Sequence, residues 1–140
     1  MATVIRAEIS AKNKYFIDRH RYYELKHFCL QYKEWKKGYV ECNDAIIFAS
    51  RVDRLPTSGN VPSDITAKYA MQKIYYSERI KLIERIAVEA DNYLYPYILR
   101  AVTEGLSYTY LKSKLEIPCG RDMYYDRYRK FFWLLDSARG

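Results

Sequence analysis

A catalytic nucleophile needs a base within reach, so the histidines are the first residues to place. There are only two, His20 and His27, seven residues apart and therefore on a similar face of a helix. With Cys29 or Glu24 they make the one grouping from which metal ligation could be built. No further cluster completes a tetrahedral or octahedral site, so surface or half-buried helix histidines are the expected reading. Glu78, Glu84, Glu89 and Asp91 fall along a solvated helix face rather than as an opposed pair for general acid–base work. The TSGN segment at 57–60 lacks the GxxxxGK[ST] pattern that cradles phosphate. Cys29, Cys42 and Cys119 are odd in number, far apart and without CxxC spacing, which reads as reduced structural thiols. The chain is expected not to be an enzyme and to carry no metal or cofactor.

Recognition chemistry is what remains. The formal charge is +7, and residues 1–40 hold nine Lys/Arg against four acidic residues, a balance that suits a polyanionic partner. Near the end, Arg121, Arg127, Arg129 and Lys130 alternate with aromatics along one predicted helix and are the expected contacts to double-stranded DNA, with Tyr125 as a phosphate donor. Arginine can read guanine bidentately, whereas lysine and tyrosine grip phosphates. Asp122 and Asp126 on the same helix oppose this, because acids there repel phosphate; the competing reading is a helical hairpin whose charged face is solvated. Upstream, Tyr22, Tyr23, Tyr32 and Trp35 interleave with basic residues and could stack on single-stranded nucleic acid. Their recurrence at helical spacing favours a place in the core instead.

These side chains must be positioned by helices. Of 140 residues, 49% are hydrophobic and 16 are Tyr, with only 5 Gly and 4 Pro, a composition that suits an all-α chain of one compact domain. By the area scaling law a chain of this mass buries nearly ~70% of its unfolded surface, enough for a core without disulfides. Residues 1–50 read as an N-terminal basic and aromatic region. Within it, Thr3–Ser10 alternates like a short strand or arm, and Tyr22, Leu25, Phe28, Cys29, Tyr32, Trp35 and Tyr39 mark one helical face from Asp18, with a break expected at Gly38. Residues 51–64 are the obvious loop.

A long helix is expected over 65–90. Its stripe of Tyr69, Tyr76, Ile80, Ile83, Ala87 and Ala90 suits either a spine for the other helices or a homodimer seam. Residues 91–140 read as three helices. Pro96 and Gly105 bracket the first, Ser107 caps a short second over 108–115, and Tyr124, Tyr128, Phe131, Phe132 and Leu135 line a third over 121–136. The whole is a helical bundle with a long central helix and a C-terminal helix-turn-helix-like unit. No run is long and apolar enough for a membrane span, and MATVIRAEIS lacks the features of a signal peptide, so a cytoplasmic place is expected.

Leu99–Leu135 resembles the promoter-reading C-terminal domain of bacterial sigma factors and the sigma-like late-gene regulators of Firmicutes prophages, the ArpU and RinA type. The resemblance rests on Leu111, Leu115, the Ile117-Pro118-Cys119-Gly120 turn, and Tyr124 three residues before Arg127; the turn is two residues longer than the usual one. Taken with YYELKHFCLQYKEWKKGY near the start, the chain is also similar to a class of small clostridial prophage proteins. The resemblance implies a phage-encoded transcriptional regulator that binds duplex DNA through its last helix. The rival class is a protein-interaction module, such as a phage inhibitor of a host nucleic-acid enzyme or an assembly factor, with a host protein as partner.

Overall fold

A computed structural model describes residues 13–53 and 63–140. Among them all regular structure is helical: α1 (Arg19–Leu30), α2 (Tyr32–Asp53), α3 (Ser63–Ala90), α4 (Tyr95–Glu104), α5 (Tyr108–Lys114) and α6 (Arg121–Arg139). The expected strand at Thr3–Ser10 and residues 54–62 of the expected loop lie outside the described residues. The chain divides into two compact units, Met1–Gln31 with Leu82–Gly140, and Tyr32–Lys81.

The discontinuous unit is organised by α6, whose stripe of Tyr124, Tyr128, Phe131, Phe132 and Leu135 is buried as its spacing demands. Each such side chain removed from water contributes about 1.5–3 kcal/mol, more than helix propensity supplies over the same residues. Helices α1 and α4 both pack on α6, and α5 packs on α4. From α1 come Tyr22, Leu25, Phe28 and Cys29, all buried. The Tyr22 ring meets Phe132 edge-on at 5.1 Å, and its hydroxyl is 3.0 Å from that of Tyr128. On the same flank Arg21 Nε donates to Asp136 Oδ1 at 2.6 Å, tying α1 to the last turns of α6.

Helix termini follow local chemistry. Asp18 caps α1 by accepting the His20 N–H at 3.0 Å. Before α4, Asp91 Oδ1 accepts the N–H groups of Tyr93 and Leu94, each at 2.8 Å, and Pro96 occupies the first turn. Gly105 ends that helix at φ 72°, where only glycine is unstrained, and its N–H and that of Leu106 both reach the Ala101 carbonyl. Ser107 Oγ accepts the Tyr110 N–H at 3.1 Å and starts α5.

The first long helix departs from its expected course. Its break falls at Gln31, whose N–H bonds to the Phe28 carbonyl in a tightened turn, and not at Gly38, which lies inside α2. Gly38 is retained there because the Tyr76 ring occupies the space of a side chain: a Cβ would stand 2.6 Å from Tyr76 Cζ. That approach belongs to the second unit, in which α2 runs antiparallel to the first part of α3. Lys73 Nζ donates to Asn43 Oδ1 at 2.9 Å and lies 5.2 Å from the Tyr39 ring centroid.

Of the six-residue stripe on α3, Ile83, Ala87 and Ala90 are buried, whereas Tyr69, Tyr76 and Ile80 are half-buried. Ile83 and Ala87 have no exposed surface, and Ile86 and Ala90 only 1%. Among the described residues no helix is long and apolar enough to cross a membrane.

Candidate nucleic-acid interface

Six residues, Leu115–Gly120, separate α5 from α6. Ile117 is fully buried and pins this turn, its N–H bonding to the Leu111 carbonyl at 3.1 Å. Glu116 pays for the bend by adopting φ 52°, the only non-glycine residue with positive φ among those described. Tyr108 holds the far side of the turn by donating its hydroxyl to the Cys119 carbonyl at 2.8 Å. Gly120 then begins α6 with no side-chain cap.

The basic residues singled out on α6 do not share one face. Arg121 is exposed and stacks its guanidinium 4.9 Å from the centroid of Tyr108. Tyr125 is half-buried one turn further on, its ring 6.2 Å from Tyr108 and 5.1 Å from Tyr124. Arg127 and Arg129, two residues apart, leave the helix about 200° from each other. Arg127 turns back on the protein: its Nε donates to Asp91 Oδ2 at 2.9 Å and its Nη1 to Asp126 Oδ2 at 2.5 Å. The hydrogen bond that Arg127 donates to Asp91 outweighs the cost of burial and, with the neighbouring carboxylate charges, raises the Arg127 pKa. Arg129 is half-buried, with a buried Nε that has no hydrogen-bond partner among the described residues, and Lys130 is half-buried.

Sequence reasoning missed two features of this region. Lys112 and Lys114 are exposed on α5, before the turn that leads to α6; the Ser107 cap, which fixes the register of α5, is the signal in the sequence that points to them. Asp91 was read as part of a solvated face, yet it is the carboxylate that engages Arg127. The signal there is local only in part, since an Asp two and three residues before Tyr93 and Leu94 announces a turn but not its partner 36 residues away. His20 and His27 are both exposed on α1, and among the described residues no three His, Cys, Asp or Glu side chains gather to hold a metal.

The surface that emerges has exposed cations on α5 and at the start of α6, while the middle of α6 is held by ion pairs and aromatic packing. Its outward positions, Asp122, Met123, Asp126, Lys130 and Trp133, carry one cation against two acids. Phosphate contact is chemically suited to the first part, and base reading by Arg127 requires it to leave Asp91. No family model matches the chain, and neither the curated proteins nor the solved structures supply a match.

Proposed function

We propose that this chain is a phage-type DNA-binding regulator of transcription that grips duplex DNA through the α4–α6 unit. The observation that carries the reading is the run of exposed cations Lys112, Lys114 and Arg121 around a short helix, a pinned turn and a longer helix whose apolar face is buried. In helix-turn-helix proteins the corresponding helices lie across the phosphate backbone and in the major groove. An N-terminus without a side-chain cap, as at Gly120, leaves backbone N–H groups for a phosphate. The net charge of +7 supplies long-range attraction to the same partner.

On this reading Arg121, Lys112 and Lys114 anchor phosphates, with Arg129, Lys130 and Tyr125 as further contacts. Arg127 positions α6 through Asp91 and reads bases only if DNA competes for its guanidinium. The test is binding to duplex DNA of random sequence at low salt, followed across a salt titration. Measurable affinity that weakens steeply with salt supports the reading; no retention at low salt ends it.

A second reading, a protein-interaction module, is favoured by the 32–81 unit. There Phe48 on α2 is 68% exposed and Met71 on α3 is 71% exposed, large apolar side chains left in water. A pull-down with nuclease present, comparing the wild type with Phe48→Ser and Met71→Ser, separates the two. A host protein that is retained by the wild type and lost from these variants would favour the module.

A further inference from the structure

Within the Tyr32–Lys81 unit, α3 meets α2 along the side that carries Gln72, Lys73 and Tyr76. Gln72 accepts from Cys42, Lys73 donates to Asn43, and the Tyr76 ring fills the space beside Gly38. The opposite side, roughly half a turn round the helix, carries Asp64, Ala67, Met71, Ile74, Glu78 and Lys81. These residues recur at steps of three, four, three, four and three, the period of a coiled-coil seam, and all of them are exposed. They are distinct from the stripe of Tyr69, Tyr76, Ile80, Ile83, Ala87 and Ala90, which is buried or half-buried.

The middle of this seam is apolar and its ends are charged. Met71 is 71% exposed and Ile74 57%, consecutive seam positions that a single chain leaves in water. Asp64 and Lys68 precede them, and Glu78 and Lys81 follow, so the charges run acid, base, apolar centre, acid, base. None of these four charged side chains is engaged in an ion pair among the described residues. A helix with this order complements itself only when turned end for end. Antiparallel, each acid faces a base; parallel, like charges coincide and repel.

We infer that this seam is a self-association surface, covered by α3 of a second copy of the chain running antiparallel to the first. A two-fold axis at the level between Gln72 and Lys73 sets the register, and the contact is then the same patch on both copies. Met71 meets Ile74 of the second copy, and Asp64 meets its Lys81. The small side chain of Ala67 leaves room opposite for Glu78 of the second copy, which lies beside Lys68. The segment from Asp64 to Lys81 is about 27 Å long, so a contact along it alone is at the small end of specific interfaces and dissociates on dilution. The inference does not rest on the DNA-binding reading, and it commits Met71 to a second copy where the interaction-module reading gives it to a host protein.

The test is sedimentation equilibrium of the whole chain from low micromolar to near-millimolar concentration, with circular dichroism of each variant. A reversible monomer–dimer equilibrium is the expected result. Lys68→Glu alone and Glu78→Lys alone each replace two attractive pairs by two repulsive ones, and each should weaken association about tenfold. Mixed in equal amounts the two variants should recover it, because each then meets the opposite charge at both positions. Both side chains are exposed in the helix interior, so the fold should persist. Met71→Asp, at a position already in water, should leave a folded monomer at every concentration. A wild type that stays monomeric, including one whose α3 face captures a host protein instead, a mixture no more associated than its components, or a folded Met71→Asp dimer would each overturn the assignment.

Discussion

The carboxylate of Asp91 is shared between two elements: one oxygen accepts the Tyr93 and Leu94 N–H groups, and the other accepts Arg127 Nε of α6 at 2.9 Å. A single side chain thus shapes the turn into α4 and fixes α6 against it. Asp91→Ala removes all three bonds, and a loss of about 2–3 kcal/mol is expected in urea unfolding. Arg127→Ala leaves the backbone bonds in place and should cost less, about 1 kcal/mol, since the guanidinium is about a third exposed and screened.

The same carboxylate makes stability depend on pH. Burial by itself would raise the Asp91 pKa, but the N–H groups of Leu94 and Tyr93 and then the Arg127 guanidinium outweigh it and hold the pKa below the ordinary carboxylate value. A group whose folded pKa is lowered stabilises fully above its unfolded pKa and loses that contribution as pH falls through the folded one. The melting temperature should therefore drop in acid below about pH 4, and Asp91→Asn should flatten that part of the profile. A wild type and variant with parallel acid profiles would contradict the pairing.

If α5 and the start of α6 face phosphate, Lys112→Ala, Lys114→Ala and Arg121→Ala together should reduce the log–log salt slope of duplex binding by up to about 2.7, at about 0.9 per lost contact. Arg127→Ala should change the slope much less, because its charge is already engaged by Asp91 and Asp126. Circular dichroism of each variant checks that the helices survive. Equal slopes in the triple variant and the wild type would remove α5 from the interface.

Glu116 sits at φ 52° in the turn before α6. A side chain in that region costs about 1–2 kcal/mol relative to glycine, offset in part by the greater freedom glycine has when unfolded. Glu116→Gly should raise stability by roughly 1 kcal/mol, read as a shift of the urea midpoint at unchanged slope.

Gly38 invites a double-mutant cycle with Tyr76. Alanine in a helix interior is worth about 1 kcal/mol over glycine, but here its Cβ would strike the Tyr76 ring at 2.6 Å. Gly38→Ala should stabilise the protein in a Tyr76→Ala background and lose that gain, or reverse it, when the ring is present. Additive effects would show that the ring swings away at no cost.

Thiol labelling should separate the cysteines by burial. Cys29 has no exposed surface and its pKa is pushed far up by burial, so it should react only on unfolding, as should buried Cys42. Cys119 is half-buried, and its pKa is also raised, first by burial. It should label first, slowly and faster at higher pH.

Local signals carried much of the architecture. The apolar stripe of α6, the Ser107 cap, Pro96 and the left-handed Gly105 each act within a few residues, and each predicted its helix or boundary within a turn. What escaped was decided across the chain. Gly38 reads as a breaker until Tyr76 fills its empty side, and no glycine or proline marks the turn at Gln31. The candidate interface divides the same way. Spacing placed Arg127 on α6, but only the fold brings Asp91 to its guanidinium and pairs its charge. The exposed lysines of α5 lie outside the α6 segment whose basic and aromatic residues alternate.

The discontinuous unit draws α1 and α6 from opposite sides of the 32–81 segment, and Arg21 reaches Asp136 only when both are present. Order of synthesis therefore matters. The antiparallel α2–α3 contacts join residues about 30–40 positions apart and are available early, whereas the bonds of Arg21 and Tyr22 on α1 to Asp136 and Tyr128 on α6 join residues more than a hundred positions apart. Until α4 and then α6 leave the ribosome, the apolar face of α1 lacks the two helices that cover it and is a sticky surface on the nascent chain.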